Sequence, residues 1–96
     1  MRDSLDMEEP IHNSLQNSLF IFKNMNEFRA VREIYIANFT EIITFINKGG
    51  LRAAIVDIIA LDTSIHDTCM THRNFFVLYE INRGIKHGKI TKADLL

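Results

Sequence analysis

The stretch NEFRAVREIYIANFTEIITFINK, residues 26–48, decides the fold. Wound at 3.6 residues per turn, it gathers Phe28, Val31, Ile34, Tyr35, Ile36, Phe39, Ile42, Ile43, Phe45 and Ile46 onto one face about 200° wide. Glu33, Ala37, Thr40, Glu41, Thr44 and Lys48 fill the remaining arc. The apolar stripe of an ordinary surface helix is nearer 100°. A face of twice that width needs covering from two sides, so the stretch is expected to be the central helix of a bundle, with Phe39 and Ile46 near the middle of its buried face.

On the N-terminal side, residues 1–12 are polar and acidic, with Pro10 as a stop, and read as a flexible tail ahead of a single domain over residues 13–96. Asn13 or Ser14 can cap a first, short helix, because a short side-chain oxygen accepts from the free amides of a first turn. Leu15, Leu19 and Phe22 then follow at i, i+4 and i+7, prolonged by Ile11 and Met25, to an end near residues 23–25.

On the C-terminal side, Gly49 and Gly50 stop the central helix and predict a tight reversal. LRAAIVDIIAL, residues 51–61, is apolar nearly all round with only Arg52 and Asp57 charged, and reads as a buried third helix. Asp62, Thr63 and Ser64 form a capping cluster, and a long fourth helix is expected from Ile65 to Arg83, ended by Gly84. Its apolar residues fall into two stripes, one of Ile65, Cys69, His72, Phe76 and Tyr79, the other of Met70, Val77 and Ile81. FFVLYEI, residues 75–81, is also rich in strand formers, so a strand is the competing assignment. Thr91 to Asp94 has the form of a capping box. The whole is an all-α, four-helix bundle, with dimerisation to cover what the short first helix leaves open.

Composition narrows the function classes. Fourteen isoleucines and seven phenylalanines in 96 residues are ample for a core. One cysteine allows no internal disulfide, and the acidic N-terminus lacks the apolar run of a secretory signal, which together point to a reducing, cytoplasmic setting. Net charge is −1, yet residues 1–9 sum to −3 and residues 73–96 to +3, so an acidic end and a basic end oppose each other.

Three constellations bear on chemistry. His66, Cys69 and His72 are spaced three apart, but two histidines and a cysteine leave a zinc site short of a ligand unless His12, His87 or a second chain supplies it, so no metal or other cofactor is expected. Cys69 with a histidine as a catalytic pair would need an oxyanion site that a mid-helix cysteine lacks, and no phosphate loop or nucleophile elbow is present. The expectation is therefore no enzyme. Helix–turn–helix reading of residues 51–74, with Ser64, His66, Thr68, Thr71, His72, Arg73 and Asn74 forming the reading unit, meets a net charge of −2 over residues 51–72, which opposes phosphate binding.

Two functional readings follow. The first is a regulatory protein–protein interaction module of adaptor, chaperone or inhibitor type, working through Ile34, Ile36, Ile43, Phe45, Met70, Val77 and Ile81, with a second copy of the chain as one partner. The alternative is a DNA-binding regulator using His72, Arg73, Arg83, Lys86 and Lys89.

Overall fold

The structure is a computed structural model and describes residues 14–96. The acidic tail over residues 1–12, with Ile11 and the Asn13 cap, lies outside the described residues. Those described form six α-helices and no strand. They are α1 (residues 14–24), α2 (Arg29–Ala37), α3 (Phe39–Leu61), α4 (His66–Cys69), α5 (His72–Lys86) and α6 (Lys92–Leu95). Short 3₁₀ turns over Asn26–Phe28 and Thr63–Ile65 precede α2 and α4. No helix among them is long and apolar enough to cross a membrane.

The expected central helix is broken. Asn38 sits at φ −121° and ψ 29°, and its side-chain amide donates to the Ile34 carbonyl at 3.0 Å, the local competition with helix bonding that asparagine offers. The buried face nonetheless keeps its helical period across the break. Phe28, Val31, Tyr35, Ile42 and Ile46 are buried, while Ile34, Ile36, Phe39, Ile43 and Phe45 are only half-buried on its flanks. Phe39 is thus not at the middle of the face, whereas Ile46 is.

The reversal expected at Gly49 and Gly50 is instead a bend inside α3. Gly50 alone leaves helical geometry, at φ 91° and ψ 178°, a combination open essentially to glycine only. Beyond the bend, Ala54, Ile55, Ile58 and Ile59 turn inward, but Val56 is 58 % exposed, so this arm is one-sided and not buried all round.

The expected fourth helix divides as well. Thr71, at φ −73° and ψ 150°, accepts a hydrogen bond from the Asn74 amide at 3.1 Å and starts α5 afresh, after α4 has closed at Cys69. Residues 75–81 are helical, so the strand assignment fails. Gly84 does not end the helix. α5 runs through it to Lys86 and ends in a Schellman motif, with the amide of Lys89 bonded to the Gly84 carbonyl at 2.8 Å and that of Gly88 to the Ile85 carbonyl at 3.1 Å. The capping box at Thr91 and Asp94 is present and sets α6, whose Leu95 is fully buried.

The organising helix is therefore α5. Asn74, Val77, Leu78, Glu80, Ile81, Asn82, Gly84 and Ile85 are all buried, over half of its 15 residues. α3 packs most extensively against it. α1 lies along it in the opposite sense, with the Arg73 guanidinium 3.4 Å from the Met25 sulfur at one end and Leu15 against Gly84 at the other. A methyl group at Gly84 would stand 2.6 Å from Cδ1 of Ile90 and 3.1 Å from Cδ1 of Leu15. Its absence lets α1 and the C-terminal loop close on α5. The interior is not purely apolar. The Tyr35 hydroxyl donates to Oδ1 of Asn82 at 2.7 Å, and the Asn82 amide donates to the Leu51 carbonyl at 3.2 Å, tying α2, α5 and the residue after the Gly50 bend together.

Candidate functional site: the outward face of helix α5

At 100° per residue, the buried residues of α5 span about 200° from Glu80 to Asn82. The remaining arc carries His72, Phe75, Phe76, Tyr79, Arg83 and Lys86. Phe76 is 52 % exposed, His72 and Lys86 are exposed, and Phe75, Tyr79 and Arg83 are half-buried. From α3, the Arg52 guanidinium lies 5.8 Å from the Phe75 ring centre and 5.7 Å from that of Tyr79, within cation–π range of both. Glu80 is the one carboxylate of α5. It is buried, and Oε1 accepts from Nη2 of Arg83 at 2.6 Å, so it adds no free negative charge to the face. On the other flank a groove of about 480 Å³ separates α5 from α1, lined by Ser14, Asn17, Ser18 and Ile21 on one wall and His72, Arg73, Phe76 and Val77 on the other.

Chemically, exposed aromatic edges can be buried by a partner, and cations beside them can meet carboxylates or phosphates. A second groove, about 510 Å³, differs in polarity. It is lined mainly by α2 and the Asp62 turn, and Glu27, Glu33 and Asp62 outnumber Arg29 there. Asp62 accepts from the Ser64 amide at 3.0 Å, and hydrogen bonds from the Ser64 hydroxyl and amide together hold its carboxyl below the usual range.

The residues singled out from sequence do not converge. Val77 and Ile81, expected on an interface, are 2 % and 0 % exposed within the chain, because the break at Thr71 resets the phase of α5 and points both into its core. Ile34, Ile36, Ile43 and Phe45 are half-buried against the core, and Met70 stands 47 % exposed at the break. The helix–turn–helix unit is divided among a 3₁₀ turn, the four-residue α4 and the start of α5, and Asn74 is buried with its amide on the Thr68 carbonyl at 2.8 Å. Of the cations named for nucleic acid, Arg73 and Lys86 are exposed on α5 and Lys89 in the loop beyond, while Arg83 is committed to Glu80.

Cys69 is buried, and burial pushes its thiol up to about 11, away from nucleophilic use. His66 bonds its neighbour Asp67 at 3.2 Å, and the break separates it from His72. No group of three metal-ligating side chains occurs among the described residues.

Sequence reasoning missed Arg52 and the outward aromatic row. The spacing of residues 72, 75, 76, 79, 83 and 86 was a readable helical stripe. The apolar stripe read from the sequence holds only His72, Phe76 and Tyr79 of these, and Asn74, Glu80 and Asn82 are the residues that turn in instead. Comparison with family models, curated proteins and solved structures found no match.

Proposed function

We propose that this protein is a non-enzymatic, regulatory interaction module inside the cell, with the outward face of α5 as its docking surface. The supporting observation is that the most buried helix exposes Phe76, beside half-buried Phe75 and Tyr79 under Arg52 and the exposed His72 and Lys86, with its one carboxylate already paired. Large aromatic side chains beside arginine are the groups that carry most binding energy at protein interfaces. In this reading the helices act as a small bundle around α5.

Affinity purification from the source cells, wild type against Phe76→Asp, tests the reading. Phe76 is surface-exposed, so the variant keeps its fold. A partner retained by wild type and lost from the variant supports the face, and identical partners with both refute it. A second reading, single-stranded nucleic acid, draws on the same row, since aromatic rings between cations are how bases are stacked without sequence choice. The net charge of −2 over residues 51–72 weighs against it.

A further inference from the structure

Resting on the reading of α5 as a docking face, we infer that Tyr35 and Asn82 are positioning residues for it. They fix the start of the α3 arm so that Arg52 covers Phe75 and Tyr79 and leaves Phe76 as the open ring. Backbone geometry sets the need for such a device. Gly50, at φ 91° and ψ 178°, takes α3 out of helical geometry, and a methyl group built on it would meet nothing within 4 Å. Packing at the bend therefore does not aim the chain that leaves it. Leu51, the first residue beyond, is held by its carbonyl, which accepts from Nδ2 of Asn82 at 3.2 Å. A carbonyl has two lone pairs, so this bond is compatible with a helical one. It can only accept, so Asn82 meets it with nitrogen and turns Oδ1 away. The Tyr35 hydroxyl donates to that Oδ1 at 2.7 Å and locks the orientation. Tyr35 and Asn82 are both 0 % exposed, so bulk water does not compete for either bond.

Arg52 is the next residue after Leu51. Its guanidinium stands 5.8 Å from the Phe75 ring centre and 5.7 Å from that of Tyr79. Both engagements meet one flank of α5, because Phe75 lies about 20° and Tyr79 about 60° round the helix from Asn82. Arg52 is exposed and enters no salt bridge among the described residues, so no ion pair at its outer end holds it over the rings. Ala54, Ile55, Ile58 and Ile59 seat the arm further along, and the Asn82 bond sets where it begins. An interior polar pair thus decides which aromatic rings the face offers. Phe75 and Tyr79 stay half-buried under the cation, while Phe76 is 52 % exposed. An arginine already ordered over its rings also loses less freedom when a partner closes on the face.

Nuclear magnetic resonance of the full chain tests the inference. Ring currents above the two aromatic faces should place the Arg52 side-chain proton signals upfield of those of Arg29, which is exposed. Tyr35→Phe keeps the ring and removes only the hydroxyl, and the Arg52 signals are expected to move most of the way towards those of Arg29. Asn82→Ser, whose hydroxyl is too short to reach the Leu51 carbonyl, should do the same. Ile46→Ala is the control, a more destabilising change at a buried site outside the network, and should leave the signals in place.

Arg52 signals that stay put in both network variants overturn the inference. Signals that move equally in Ile46→Ala overturn it too, since the stack would then follow general stability. Collapse of both network variants while Ile46→Ala stays folded assigns Tyr35 and Asn82 to stability alone and likewise overturns it. Each of these results leaves the docking face standing. Failure of the face shows instead as identical partners for wild type and Phe76→Asp, wherever Arg52 lies.

Discussion

Gly84→Ala separates two roles that a helical glycine can play. Inside α5 the substitution adds helix propensity, a gain of about 0.8–1.0 kcal/mol if nothing obstructs the methyl group. At this position something does. The new Cβ would sit 2.6 Å from Cδ1 and 2.8 Å from Cγ1 of Ile90, and 3.1 Å from Cδ1 of Leu15. Ile90 and Leu15 are 3 % and 7 % exposed, so neither has open space to move into. Overpacking of this kind costs about 1–3 kcal/mol, which exceeds the propensity gain. The net expectation is a loss of about 1 kcal/mol, or roughly 4–8 °C in Tm for a chain of this size. Chemical denaturation of Gly84→Ala, Ile90→Ala and the double variant closes a cycle. With Ile90 truncated the overlap largely disappears, and Gly84→Ala should become neutral or stabilising, a coupling of about 1–3 kcal/mol. A rise in Tm for Gly84→Ala in the wild-type background would refute the close approach.

Other substitutions probe the interior. Tyr35→Phe strands Oδ1 of Asn82 without its 2.7 Å donor in a fully buried site and should cost about 1–3 kcal/mol by urea denaturation. Ile46→Ala should cost about 2–5 kcal/mol and Phe39→Ala clearly less, because Ile46 is 1 % exposed and Phe39 only half-buried. The Cys69 thiol rises from 9.0 to about 11 in the fold through burial, so its stabilisation is fully present below pH 9 and is lost as pH rises towards 11. Tyr35, raised above its ordinary 10.0 chiefly by burial, adds to the same alkaline loss. Stability measured from pH 8 to 11 should therefore fall, and fall less steeply in Cys69→Ala.

What was legible in the sequence was local. The capping signals at Asp62 and at Thr91 to Asp94 act within four residues, and the hydrophobic period marked every long helix as helix. The breaks were not legible. Asn38 and Thr71 are tolerated within helices, and only their bonds to Ile34 and Asn74 turn them into boundaries. Gly84 shows the converse, since a glycine that punctuates in sequence is here a point of close approach. The candidate site was lost through phase. Asn82 is buried because Tyr35 and the Leu51 carbonyl satisfy its amide, a pairing across 47 and 31 residues that no local window contains, while Phe76 falls outside the buried arc.

The claim that the outward face of α5 is where this protein meets its partner is tested most directly by placing a photo-crosslinking p-benzoylphenylalanine at position 76 of the full chain in its source cells. Val56, 58 % exposed on α3, and Met70, 47 % exposed at the Thr71 break, are the control positions. A discrete adduct of higher mass from position 76, absent from positions 56 and 70, is the predicted result. No adduct from position 76, or equal adducts from all three, would contradict it.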